Sequence, residues 1–399
     1  MTEQDVHSFV VASDNVRYQQ WLQQDLREVG EIIVASPDDL DGLLGLVDMS
    51  GAGIVFVELG PQNRQAAATL IEGLQVARPG LVMVAIGDDT APELLLTAMR
   101  AGARDFMTPA GRRSELVGLV RRLLAAGPPS VGRDAEGGHL LALFNARPTV
   151  DTALLAVELA RALRRGHGED EVLLLDLGLP QGDCADIIGA EPRFDFLDAV
   201  RNLRRLDRAY LDKALLRDEH GLRLLAMPAD PGALAEVSSA QVYLLMAALR
   251  SAYSHVIAHL GGLPVADLLQ IMLGASNDLV WLCDQSIPGC RHNAEARQRL
   301  QEAGVQPRAE HLVIDRYRAR VPPNDRTIAE HLGVPWVASL PAADEARLQA
   351  INTGGADPRG LGGSGEPYAR AVRNLAERFG LPAQSEGWLQ RLCRKVARA

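Results

Sequence analysis

Only four cysteines occur in 399 residues: Cys184, Cys283, Cys290 and Cys393. Cys283 and Cys290 stand seven apart with no matching second pair, so the spacing of a zinc finger is missing and no metal is expected. Reduced thiols are the simple expectation. An excess of basic residues is missing too: 41 Lys and Arg face 51 Asp and Glu, for a net charge of −10 and a pI near 5.5. Broad binding to nucleic acid needs clustered cations and is therefore not expected. No window approaches the roughly 18 uninterrupted apolar residues of a membrane-spanning helix. The opening MTEQDVHSF is too polar and acidic for a signal peptide, which points to a cytoplasmic protein.

What is present is apolar mass, 47% of the chain, enough for two cores. Short apolar runs alternate with helical patterns. Strands are expected at His7–Ala12, Glu31–Ala35, Gly53–Glu58, Val82–Ile86 and Asp105–Met107. Helices fit between and after them at Asn15–Val29, Pro37–Val47, Gln62–Ala77, Ala91–Ala101 and Arg112–Leu124. That (βα)5 order predicts a parallel sheet covered on both faces. A Gly- and Pro-rich stretch, AAGPPSVGRDAEGG, then reads as a linker. A second series follows, with strands at His139–Phe144, Glu171–Leu175, Leu222–Ala226, His255–His259, Asp278–Leu282, Ala309–Ile314 and Val334–Ser339. Asp151–Arg164 and Tyr368–Phe379 read as helices, and Gly354–Pro367 as a flexible loop. The expected class is α/β, with two doubly wound parallel-sheet domains at 1–126 and 139–384, a linker at 127–138 and a tail at 385–399.

The first domain resembles a response-regulator receiver, a flavodoxin-like fold, through its (βα)5 order, the segment AMRAGARDFMTP and the acidic end of its third strand. A working receiver gathers carboxylates to hold Mg²⁺, because that ion takes oxygen ligands. Here Glu58 stands where the phosphoacceptor Asp belongs, Ser13 and Asp14 where two acids are common, and Thr108 where a Lys precedes Pro109. Ile86 and Gly87 occupy the hydroxyl region. Glu58 reads either as a permanent imitation of the charged state or as a polar strand end; the second is favoured. A protein-interaction module is expected, not a phosphorylation switch.

The second domain resembles a P-loop NTPase of the ParA/MinD type. Such loops use glycines for close backbone approach to phosphates, a Lys for the β/γ oxygens and a hydroxyl for Mg²⁺, here in the form KGGxGKTT. The matching segment is LALFNARPTVDTALLAVELARAL. Arg147 stands at the early Lys; Pro148, Thr149 and Asp151 replace the glycines; Thr152 replaces the phosphate Lys and Ala153 the Mg²⁺ hydroxyl. Pro148 removes an N–H, Asp151 brings a like charge toward phosphate, and Thr152 removes a cation. Arg147 and the helix N-terminus keep a weaker attraction for anions. Asp176 remains where the family has an Asp that positions water or metal. His259 stands at the Mg²⁺-linked Asp and is read as an ordinary strand-end histidine, since imidazole does not replace a hard oxygen ligand. Asp315 and Arg316 stand where relatives carry an Asn-Arg pair that touches adenine.

A receiver-like domain joined to a ParA/MinD-like domain resembles the TadZ/CpaE family of Flp/Tad pilus assembly proteins. The Gly182-Asp183 pair, the Leu197–Asp207 segment and the Gly221–Pro231 strand carry that resemblance. It implies a part in assembling pili, localisation of the secretion machinery, often at a cell pole, and contact with its motor ATPase. With both sites altered, the expected role is a non-enzymatic scaffold or localisation factor: a pseudo-receiver and a pseudo-ATPase with no catalytic residues and no cofactor, ATP and Mg²⁺ being opposed by the loop. The alternative is a nucleotide-binding deviant ATPase whose dimerisation controls polar localisation, rebuilt around Arg147 and Asp176. A homodimer without nucleotide is compatible with either. In the tail, Trp388, Leu389, Leu392, Cys393 and Val396 share one helical face, with Arg391, Arg394, Lys395 and Arg398 opposite. MinD-like proteins carry comparable tails on anionic membranes, so peripheral inner-membrane contact or a partner contact is weighed against packing on its own domain.

Overall fold

A computed structural model of the chain describes residues 7–88, 92–126, 137–167, 172–218, 220–353 and 366–380. Residues 127–136 of the expected linker, most of the expected loop at 354–367, and the whole tail with Trp388, Leu389, Arg391, Leu392, Arg394 and Lys395 lie outside them. Two compact units are present. One comprises Met1–Glu136 with Ala235–Ala248, the other Gly137–Leu234 with Leu249–Ala399.

The first unit alternates β1 (His7–Ala12), α1 (Val16–Leu26), β2 (Gly30–Ala35), α2 (Leu40–Ser50), β3 (Ile54–Glu58), α3 (Arg64–Ala77), β4 (Val82–Ile86), α4 (Pro92–Ala101), β5 (Asp105–Met107) and α5 (Arg113–Ala126). All five strands are parallel, in the order β2-β1-β3-β4-β5. Chain order reverses beside β1, the flavodoxin-like arrangement. Strand faces alternate between two cores: Val10, Val55 and Met83 pack with α2 and α3, while Phe9, Phe56 and Val84 pack with α1 and α5. Residues 235–248 add Ala240 and Tyr243 to the first of these cores. Gly73 permits that approach, since a Cβ there would come within 2.9 Å of the Ala240 Cβ.

The second unit runs β6 (His139–Phe144), α6 (Val150–His167), β7 (Val172–Asp176), α7 (Asp183–Ile188), α8 (Phe196–Arg201), α9 (Arg208–Ala214), β8 (Leu216–Arg217), β9 (Arg223–Ala226), then, after α10 (Ser239–Ala252), whose residues up to Ala248 belong to the first unit, β10 (His255–His259), α11 (Asp267–Gly274), β11 (Asp278–Asp284), α12 (Ile287–Glu302), β12 (Glu310–Tyr317), α13 (Asp325–Leu332), β13 (Trp336–Pro341), α14 (Asp344–Asn352) and α15 (Glu366–Gly380). Its sheet has eight strands in the order β13-β12-β11-β6-β10-β7-β9-β8. Central strands such as β6 and β7 are apolar on both faces because helices cover both. Order reverses around β6, so the ends of β6, β7, β10, β11 and β12 bound a crevice at the switch point. Among the described residues, no helix is long and apolar enough to cross a membrane.

The parallel sheet expected from the sequence is not realised throughout. β8 pairs antiparallel with β9, Leu216 opposite Leu224 and Arg217 opposite Arg223. The cause is the turn between them. Gly221 sits at φ +83, and Asp218 accepts from the Leu222 N–H at 2.7 Å. The same carboxylate accepts from Arg161 Nη2 at 2.8 Å, with both side chains buried. Two residues of strand carry no periodicity, so the edge is invisible in sequence. Asp218→Ala leaves Arg161 as a buried, unpaired cation, and urea denaturation is expected to show a loss of about 3–5 kcal/mol.

Candidate functional site

The loop between β6 and α6 borders the cavity described below, and its first polar groups are bonded within the protein. Asn145 Oδ1 accepts from Thr152 Oγ1 at 2.9 Å, and Asn145 Nδ2 donates to the Arg147 carbonyl. The Ala146 N–H donates to Asn293 Oδ1 at 2.8 Å, and Asn293 Nδ2 to the Leu282 carbonyl at 3.1 Å. α12 delivers Asn293 because Ser286 caps its start, accepting from the Gly289 N–H, with Pro288 in the first turn. Pro148 packs over Gly262, where a Cβ would lie 2.7 Å from Pro148 Cγ. Thr152 and Ala153 are fully buried.

Asp151, in the first turn of α6, is the hub. Arg316 donates to it twice, Nε to Oδ2 at 2.8 Å and Nη2 to Oδ1 at 3.1 Å. Arg347 Nη1 donates to the same Oδ1 at 3.1 Å. Arg347, 1% exposed, also forms a fork with Asp315 at 2.6 and 3.0 Å and lies 4.3 Å over the Tyr368 ring. Arg316 reaches on to Asp344 at 2.6 Å. Its backbone sits at φ +50, a left-handed conformation that a non-glycine residue adopts at a cost of about 1–3 kcal/mol. Burial alone would raise the Asp151 carboxyl, but Arg316 and Arg347 outweigh it and hold the group below its ordinary value. Burial pushes Asp315 up, with Arg347 pulling against it. A cavity of about 300 Å³ adjoins this network, lined by Arg147, Pro148, Thr149, Asp284, Asn293 and Arg316 among others.

The expected site residues therefore part into two groups, with Thr152 and Ala153 buried and outside the cavity lining. Arg147, Pro148, Thr149, Asp151, Asp315 and Arg316 share the cavity. Asp176 and His259 do not line it; they meet each other, His259 Nδ1 to Asp176 Oδ1 at 2.8 Å. Arg147 and Asp176 are thus not brought to one cavity wall. Four contributors carried no motif signal: Asn145, Asn293, Arg347 and Tyr368.

In the first unit, Glu58 accepts from Ser13 Oγ at 2.5 Å, and its carbonyl accepts from Asn63 Nδ2 at 3.0 Å. Asp14 is exposed, and the Thr108 carbonyl accepts from the Gly111 N–H at 3.0 Å. Asp88, outside the motif reading, forms a bidentate pair with Arg17 at 2.9 and 3.0 Å.

Residues 6–136 match the family described as pilus assembly protein TadZ N-terminal. Among solved structures, a CheY-like protein (TadZ) from Pseudomonas aeruginosa PAO1 is 45% identical over 29% of this chain and 98% of its own, with a TM-score of 0.29. A ParA family ATPase from Chlorobium tepidum TLS is 18% identical over 60% of this chain and 98% of its own, with a TM-score of 0.54. The MinC:MinD cell division complex from Aquifex aeolicus is 16% identical over 62% and 99%, with a TM-score of 0.50. At those identities the last two establish the fold of the second unit and nothing beyond it. No curated protein sequence matches significantly.

Asp151→Asn keeps the shape and removes the charge. It is expected to cost about 1–3 kcal/mol in urea denaturation at neutral pH. The folded value of Asp151 lies below the unfolded value of about 3.9. Its contribution is therefore complete above that value and lost as pH falls through the folded one. The gap between wild type and variant should close below about pH 4, and a gap independent of pH would show that Asp151 is not the titrating group.

Proposed function

The chain belongs to the TadZ family of pilus assembly proteins, and from that membership we propose that it acts as a non-enzymatic scaffold and localisation factor for the pilus secretion machinery. The observation that carries this reading is the carboxylate of Asp151 bound by Arg316 and Arg347 at the head of α6. In a triphosphate site that end of the helix faces phosphate. Here a fixed anion already takes the arginines, and a phosphate would have to approach an ionised carboxylate.

The residues that would hold Mg²⁺ fit it poorly. Ala153 offers no hydroxyl, Thr152 Oγ1 is engaged with Asn145, and His259 offers nitrogen where a hard cation takes oxygen. In the first unit, Ser13 already donates to Glu58, which supports a polar strand end and an interaction module over a phosphoacceptor.

Under this proposal the partners are proteins of the pilus machinery, including its motor ATPase, and not nucleic acid, since the acidic balance argues against broad phosphate binding. The place of action is cytoplasmic, at a cell pole and peripheral to the inner membrane, with the basic amphipathic segment at 385–399 as the contact. A homodimer formed without nucleotide serves as the assembly unit. The alternative, a nucleotide-binding deviant ATPase whose dimerisation controls polar localisation, draws on one feature: Arg147 and Arg316 still border the cavity.

Calorimetry with ATP and Mg²⁺, together with light scattering with and without nucleotide, separates the two. The scaffold gives no binding heat and an unchanged mass. Micromolar affinity with a nucleotide-dependent dimer sinks it.

A further inference from the structure

Behind the cavity, three side chains with metal-binding atoms converge in the core of the second unit. Asp176 ends β7, His259 ends β10, and Cys184 lies in the first turn of α7. Their donor atoms all lie within 4.8 Å of one another, and each residue is at most 1% exposed. We propose that Asp176, Cys184 and His259 form a buried three-residue binding site for a divalent cation of the zinc class, with water in the fourth position, tying β7, β10 and α7 together.

The geometry is near what such an ion requires. Zinc–nitrogen and zinc–sulfur bonds of about 2.0 and 2.3 Å at a tetrahedral angle place N and S about 3.5 Å apart. His259 Nδ1 and Cys184 Sγ are 3.7 Å apart. The same construction places N and O about 3.3 Å apart, against 2.8 Å between His259 Nδ1 and Asp176 Oδ1. Loading the site therefore needs that pair to open by roughly half an ångström. A set of one thiolate, one imidazole and one carboxylate suits zinc and discriminates against magnesium.

The ligands are held from behind. Asp176 accepts from the Gly178 N–H at 3.3 Å and from the Cys184 N–H at 3.2 Å, which fixes its carboxylate. The imidazole lies against Gly178 so closely that a Cβ there would be 1.9 Å from His259 Cε1. Burial drives the Cys184 thiol well up, with Asp176 adding to it, so without a cation it keeps its proton. Binding deprotonates it: the metal–sulfur bond forms, the S–H bond breaks and the proton leaves to solvent. The dication then balances one thiolate and one carboxylate, giving a neutral cluster that can remain buried.

A Cys–His–Asp nucleophile relay does not account for the same residues. That arrangement uses both ring nitrogens, one toward the nucleophile and one toward the carboxylate. Here Sγ and Oδ1 both face Nδ1. The remaining reading, a plain Asp–His pair beside an inert thiol, is what the experiment must exclude.

The full-length protein, stripped with a chelator, is titrated with Co²⁺ alone and followed by absorption. The expected result is one tightly bound equivalent with tetrahedral ligand-field bands and a thiolate-to-cobalt charge-transfer band, both displaced by Zn²⁺. Cys184→Ser should lose the charge-transfer band, while a Cys283→Ser/Cys290→Ser variant keeps it. Circular dichroism of the stripped Cys184→Ser protein checks that the fold survives; if it does not, His259→Gln, which should weaken binding and keep a thiolate band, takes its place. No cobalt bands in the wild type, or bands that persist unchanged in Cys184→Ser, overturn the proposal.

Discussion

The second unit is organised by one electrostatic arrangement: a carboxylate at the head of α6 shared by two arginines from elements far along the chain. Arg347 is almost wholly buried, and a buried guanidinium is tolerated only with its charge and donors matched. Asp315 and Asp151 supply the match from β12 and α6, and the Tyr368 ring covers the planar face from α15. Three elements thereby converge on one cation carried by α14. Arg316 adds a further tie, and the left-handed backbone it adopts is held by contacts to Asp151 and Asp344. The ion-pair cluster sits at the head of α6, beside the cavity at the switch point of the sheet.

Much of this frame is legible in the sequence. Parallel strands buried on both faces read as unbroken apolar runs, and β1, β4, β5, β6 and β10 fall at the expected residues. The place of the β6–α6 loop is legible too, because an apolar strand runs into it and an Ala- and Leu-rich helix out of it. The partners its residues find are not. Arg347 lies in ADEARLQA, an ordinary charged helical stretch, and its importance comes from Asp315, 32 positions away, and Asp151, 196 away. Asp151 by itself suggests only a hostile charge; the fold turns it into an acceptor for two cations. His259 reads as a strand-end residue, yet it is buried against Asp176 and Cys184, which lie 83 and 75 positions away. Short-range patterns reveal elements, whereas long-range pairing reveals sites.

The two units illustrate the same economy at different strengths. In the first, Glu58 is quieted by a single hydroxyl from Ser13, and the exposed Arg17–Asp88 pair beside it contributes little to stability. In the second, whole side chains are recruited to neutralise one another away from water. The difference follows from depth. A charge at a half-exposed strand end can be satisfied by one hydroxyl and solvent, but one at the head of a central buried helix must find partners within the protein.

The burial of Arg347 also bears on how such a chain can change. Substituting glycine at position 151 would deprive the buried Arg347 of one acceptor and Arg316 of two hydrogen bonds. Placing lysine at position 152, which is fully buried, would add a third positive charge beside the existing two. Each step alone is unfavourable, and only a concerted exchange of loop and arginines avoids the unstable intermediates. The cluster thus acts as a lock, its members exchangeable together and not one at a time.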